Sequence, residues 1–216
     1  MIITNVSLSS NEKSHLAALI DKRLDSYSYI SNAEDGCSSA FELIELNICG
    51  HKITLSNALE VVDYYGSPED VSVMHVHDAS ASERAQWFEG DKIVTTQIGR
   101  IIENIIIYED NIDKISYSTS CFRYISTRAI VFVLGKTKLA LAREWDFSEN
   151  IDILRGNGVT GRIDSPEQAI IDAGGIVLGE DDMREDGREG AAPSDEHPGT
   201  YRVSRRIVSL RDTNFV

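Results

Sequence analysis

The chain has 216 residues, 42% of them apolar, enough to bury one substantial core. Against 21 Lys and Arg stand 35 Asp and Glu, a formal charge of −14. Such an excess keeps a chain soluble and repels phosphate backbones and anionic membranes, which disfavours nucleic acid as a partner and favours a basic protein. Cys37, Cys49 and Cys121 form no C-x-x-C pair, so neither a disulfide framework nor a zinc finger is expected. The stretch MIITNVSLSSNEK lacks the basic and apolar regions of a secretory signal. No segment reaches the ~18 apolar residues of a membrane span, and a cytoplasmic location is expected.

Ile2, Ile3 and Val6 suggest a short first strand. Ser9 and Glu12 have capping-box spacing, and Leu16, Leu19, Ile20 and Leu24 give one helical face that should run to about Asp25. The polar, aromatic stretch 26–39 reads as a loop. Phe41–Ile48 is a strand that turns through Cys49-Gly50-His51-Lys52 into Ile53-Thr54-Leu55. Ser56 then caps an expected helix, with Leu59, Val62 and Tyr65, or Val61 and Tyr64, as its buried stripe before Gly66-Ser67-Pro68. Val71–Val76 reads as a strand, and Ser80 or Ser82 as the cap of a short helix bearing Trp87 and Phe88. The spacing of Ile98, Ile101 and Ile102 suggests an amphipathic turn or helix to about Asn104, followed by a strand Ile105–Tyr108, a turn at Glu109-Asp110-Asn111 and a strand from Ile112.

Arg128–Phe147 is the clearest local signal: an apolar β-branched run, a Gly135-Lys136-Thr137 turn, and a second run through Leu139 and Leu141 to Trp145. Ile151–Leu154 adds a strand. Ser165-Pro166-Glu167 starts a helix, and Ile176–Leu178 can be a strand. The expected fold is therefore α+β, with helices mainly in the first half and an antiparallel β meander in the second. Residues 1–178 should form one domain and 179–200 a flexible acidic loop. Residues 201–216 should supply a terminal strand that returns to the domain, its arginines facing solvent.

Two motifs carry chemical possibilities. His75, His77 and Asp78 alternate along a strand and turn, so two imidazoles and a carboxylate could share a metal, as a hydrolase requires; the alternative is a half-exposed strand face. Gly156, Gly158 and Gly161 form G-x-G-x-x-G between a strand and a helix, a pattern that can bind a nucleotide. Here Asp164-Ser165-Pro166 separates those amides from the helix start, and the acidic balance offers no counter-charge, so a flexible turn is the alternative. Gly135-Lys136-Thr137 lacks the earlier glycine of a phosphate loop. No serine or cysteine nucleophile has a recognisable base partner, and no cofactor is expected.

The expectation that combines these features is an acidic, non-enzymatic, protein-binding protein. It would inhibit a basic partner such as a nuclease or toxin, in the manner of an immunity protein, antitoxin or phage anti-defence factor. Glu180, Asp181, Asp182, Glu185, Asp186 and Glu189 would supply charge to the partner surface, and Trp145 an aromatic contact if its strand lies at an edge.

Overall fold

In the computed structural model, the described residues are 1–31, 39–79, 93–116, 119–172, 176–177 and 200–213. In chain order they form β1 (Ile2–Val6), α1 (Ser10–Ala17), β2 (Arg23–Ser31), β3 (Ser39–Ile48), β4 (His51–Tyr64), β5 (Ser67–Asp78), β6 (Ile93–Ile101) and β7 (Asn104–Ser116). There follow β8 (Thr119–Leu134), β9 (Thr137–Arg143), β10 (Asn150–Gly156), a 3₁₀ turn (Val159–Arg162), α2 (Pro166–Asp172), β11 (Ile176–Val177) and β12 (Thr200–Ser209). The strands make one twelve-stranded sheet, with the order β11-β12-β7-β8-β9-β10-β3-β2-β6. β1 joins β8, β4 joins β3, and β5 joins β4. Pairing is antiparallel except for β1–β8 and β11–β12.

This mainly β architecture corrects the expected α+β fold with helices in the first half. Three segments account for the difference. The first helix ends at Ala17 and not near Asp25, and β2 takes in Leu24 from its expected face together with the Ser/Tyr-rich stretch expected as a loop; Leu24, Tyr27 and Tyr29 are buried, the serines and tyrosines alternate, and composition hid that period of two. The helix expected from Ser56 is the outer half of β4, paired with β5 over twelve positions from Ile53↔Asp78 to Tyr64↔Ser67. Tyr65 and Gly66, with φ of 55° and 95°, close that hairpin in the left-handed region demanded by a tight two-residue turn, so the glycine marks a turn and ends no helix. Of the isoleucines expected on an amphipathic turn, Ile98 and Ile101 lie in β6 and Ile102 directly follows it; Gly99 at φ 63° accompanies a register shift of β6 against β2. The expected helix around Trp87 and Phe88 falls outside the described residues.

Glu109-Asp110-Asn111 also proves to be strand, near the middle of β7. Glu109 and Asp110 are buried, at 3% and 5% exposure, because basic side chains meet them. Lys13 reaches Glu109 at 2.6 Å, and Arg205 of β12 grips Asp110 at 2.6 and 2.8 Å. Arg123 holds Asp113 in the same two-pronged way, at 2.6 and 2.9 Å. The arginines of β12 therefore do more than cover a solvent face: β12 pairs with β7 across ten residues and Arg205 completes the β7 core. Forked guanidinium–carboxylate pairs are the form in which buried charge is tolerated.

Inward side chains from β2, β3, β4, β5, β7, β8, β9 and β10 meet in one apolar cluster, so the sheet coils around a common core. Leu16 of α1 is fully buried within it. Burying a side chain of this kind contributes roughly 1.5–3 kcal/mol. A second cluster joins Val71 and Val73 of β5 to Ile112, Phe122, Tyr124 and Ile170.

The capping box of α1 forms as expected and has a second task. One Glu12 carboxylate oxygen accepts from the Ser9 backbone N–H at 2.8 Å and the Ser9 hydroxyl at 2.6 Å. The other accepts the Val76 N–H at 3.0 Å and lies 3.3 Å from His75 Nδ1, fastening the helix to β5. Burial pushes this carboxyl up, but the Ser9 and Val76 bonds and the His75 charge outweigh it, so Glu12 sits below the usual carboxylate range. Its ionised form therefore adds stability that is present above the unfolded value of about 4.3 and lost as pH falls through the lower folded value. Glu12→Gln should destabilise the protein by about 1–3 kcal/mol at neutral pH. Urea unfolding of both proteins should show that gap closing as pH falls below about 4; a gap that stays constant into strong acid would contradict this role.

Candidate functional site

β9 places Leu139 and Leu141 in the core, and Arg143 follows in phase with them. Its side chain is only 2% exposed. Nη1 donates to the Ser72 carbonyl at 2.6 Å and lies 3.2 Å from the Ser72 hydroxyl; Nη2 donates to the Ser126 hydroxyl at 2.9 Å. Asp146 meets the same guanidinium at 2.9 Å. One side chain thus ties β9 to β5 and β8. Burial would lower the Arg143 pKa, but Asp146 leads a set of neighbours that raise it and keep it charged.

The loop after β9 is stitched down by the same groups. The Ser72 N–H donates to the Asp146 carbonyl at 2.7 Å, and the Ser72 hydroxyl to the Trp145 carbonyl at 3.0 Å. Tyr64 donates its hydroxyl to Asp146 Oδ2 at 3.1 Å. Arg128 of β8 donates to the Glu144 carbonyl at 2.9 Å and to Asp164 at 3.1 Å. Burial, and next the charge of Arg143, push the Arg128 pKa down. Glu144 is fixed by Ser148 at 2.6 Å and Asn150 at 3.0 Å. These bonds tie residues 144–146 to β4, β5 and β8.

These residues border a cleft of about 470 Å³. Its floor is Asp110, Ser126, Arg128 and Arg143; Tyr64, Trp145 and Phe147 form aromatic walls, and Glu144, Asp146 and Asp164 add carboxylates. Four carboxylates face two guanidiniums, so the lining is net acidic. Trp145 is 54% exposed, and its ring lies 5.4 Å from Phe147, edge to face. Asp164 is 65% exposed at the rim. Close by, Asp152 is raised by burial first and by Glu144 second. Behind the cleft Tyr64, Tyr65 and Tyr124 cluster edge to face, with hydroxyls pushed far up by burial, next by Asp146.

Of the residues singled out from sequence, Trp145 lies at this cleft, but in the loop after β9 and not on the expected strand, and β9 runs between β8 and β10, not at a sheet edge. Glu180, Asp181, Asp182, Glu185, Asp186 and Glu189 fall outside the described residues. His75, His77 and Asp78 lie elsewhere, on β5. Both His75 nitrogens already face carboxylates, Glu12 at 3.3 Å and Glu60 at 2.6 Å. His77 Nδ1 lies 3.2 Å from the Asp78 carbonyl, and the Asp78 carboxylate points to His15 at 3.5 Å. Among the described residues no group of three or more His, Cys, Asp and Glu is placed to hold a metal. Gly156 ends β10 at φ 123°, while Gly158 caps the 3₁₀ turn and Gly161 lies within it, its N–H 3.3 Å from the Gly158 carbonyl. α2 begins only at Pro166, capped by Ser165 through the Gln168 N–H at 3.2 Å, so the glycine amides do not crown a helix.

Sequence reading missed Arg128, Arg143, Ser72, Ser126 and Asp164. The available signal was an arginine in phase with the apolar alternation of its own strand, which marks an inward charge awaiting a partner. Arg143→Met should lower stability by about 3–5 kcal/mol in urea unfolding, because Asp146, half-buried, loses its guanidinium and Ser72 and Ser126 lose their donor. Adding Asp146→Asn should restore part of it, whereas Trp145→Ala should cost no more than about 0.5 kcal/mol. A neutral Arg143→Met would contradict the clamp. Comparison of the chain with protein families, curated proteins and solved structures finds no match.

Proposed function

We propose that the protein is a binding protein whose cleft receives a cationic side chain from a basic protein partner, and that it acts as an inhibitor of that partner. The observation that carries this reading is Trp145: a large aromatic ring held 54% exposed on a backbone fixed by Ser72 and Arg143. Leaving a tryptophan in water loses hydrophobic stabilisation, and fixing it in place reduces the entropy lost on association. Interface energy concentrates in such residues.

The surrounding chemistry selects the partner. A lysine or arginine entering the cleft meets Asp164 and Glu144 while its alkyl stem lies along Trp145 and Phe147, combining ion pairing with cation–π attraction. The charge of −14 adds long-range steering towards a basic surface. Occupying the cationic surface of a nuclease or toxin would block its access to phosphate.

Titration calorimetry with an octa-arginine peptide, against an octa-glycine control, tests the cleft. Binding to the arginine peptide should weaken at least tenfold in Trp145→Ala and in Asp164→Asn, and should fall as salt rises from ~50 to ~300 mM. Equal affinity in wild type and both variants would refute the assignment of the cleft.

A further inference from the structure

A second cavity of about 500 Å³ opens between β6, the β8–β9 turn and the end of β10. Arg100, Lys138 and Arg155 line it, and no Asp or Glu does. In a chain with 35 acidic residues such a lining is a local reversal of sign. None of these three cations is ion-paired among the described residues. Arg100 Nη1 makes one long contact, 3.4 Å to the Leu134 carbonyl, leaving most of its five donors for a ligand. In the β9–β10 register Arg155 lies opposite Leu139, so it shares the inward face with Leu139 and Thr137, and its charge is felt at the Tyr29 hydroxyl. Ile98 and Leu139 add apolar floor, and Gln97 a polar amide. Glu103 is the neighbouring acid; its carboxylate lies beside Gly135 in the turn, outside the lining.

We infer that this cavity is a binding site for the phosphate group of a small phosphorylated molecule, with the phosphate on Arg100 and Arg155, Lys138 at its edge, and the remainder against Ile98 and Leu139. Guanidinium forks match pairs of phosphate oxygens, and several unneutralised cations suit a dianion better than a single negative charge. The volume fits a small molecule, and the acidic surface elsewhere repels a long polyphosphate chain. Two sequence features find a physical setting here: Thr137 follows the Gly135-Lys136 turn, and Gly156 opens the glycine run. Side chains from three segments make the site; Gly156 lines it through its backbone, whereas Gly158 and Gly161 lie outside the lining. This site is separate from the aromatic cleft, and its occupancy does not depend on the proposed partner.

Titration calorimetry on the full chain with pyrophosphate, AMP and citrate tests the inference, using wild type, Arg100→Gln and Arg155→Gln. Both arginines are exposed, so the variants should match the wild-type melting temperature without ligand. Pyrophosphate and AMP should bind one to one and lose at least about tenfold in affinity in each variant. Absence of saturable binding up to about 10 mM, or affinity unchanged in both variants, would overturn the site. Citrate binding more tightly than pyrophosphate would overturn its assignment to phosphate.

Discussion

The architecture depends on a buried positive charge. Arg143 leaves the end of β9 inside the protein, where its two terminal nitrogens are held by Ser72 of β5, Ser126 of β8 and the carboxylate of Asp146. Desolvating a guanidinium is expensive, so the groups that compensate it are bound to one arrangement. That arrangement draws β5 against the loop 144–147 through the amide and hydroxyl of Ser72. An edge strand and a polar loop, each of which would be mobile alone, become one rigid rim. The exposure of Trp145 follows from it: the backbone is spoken for, and the ring is left facing the cleft.

Buried ion pairs recur as the device that lets this acidic sequence form long strands. Glu109, Asp110 and Asp113 fall within β7, and each meets a cation from α1, β12 or β8. Two of these pairs join segments remote in sequence, Lys13 with Glu109 and Arg205 with Asp110, the latter 95 residues apart. This explains how much of the fold was legible. The hairpin from Arg128, the short strand near Ile151 and the caps at Ser9 and Ser165 are governed by neighbours along the chain, and local pattern reveals them. The strandedness of 23–31, 51–64 and 93–101 is imposed by pairing across the sheet, which overrides a coincidental helical spacing of Leu59, Val62 and Tyr65. The Glu109-Asp110-Asn111 triplet looks like a turn because its compensating arginine lies near the other end of the chain.

The candidate sites were legible to a smaller degree, for the same reason. Trp145 stood out because aromatic and charged residues adjoin it. Arg143, two residues away, is the buried anchor beneath it. The overall charge of −14 argued against any anion site, while Arg100, Lys138 and Arg155, widely spaced in sequence, line one cavity without an acid. Net charge governs solubility and long-range encounter; the sign of a cavity is set by the few residues that topology brings to it. An acidic surface with a cationic pocket can address a basic macromolecule and a small anion separately.

The presentation of Trp145 at the cleft depends on its loop being locked to β5. Hydrogen exchange at the Ser72 amide, which donates to the Asp146 carbonyl at 2.7 Å, reads this directly. Protection matching the core amides of β8, lost only with global unfolding, is the result predicted for a rim fixed by Arg143. Exchange at the rate of an open loop, with β8 still protected, would show that the tryptophan is carried on a mobile segment and that Arg143 does not fix the rim.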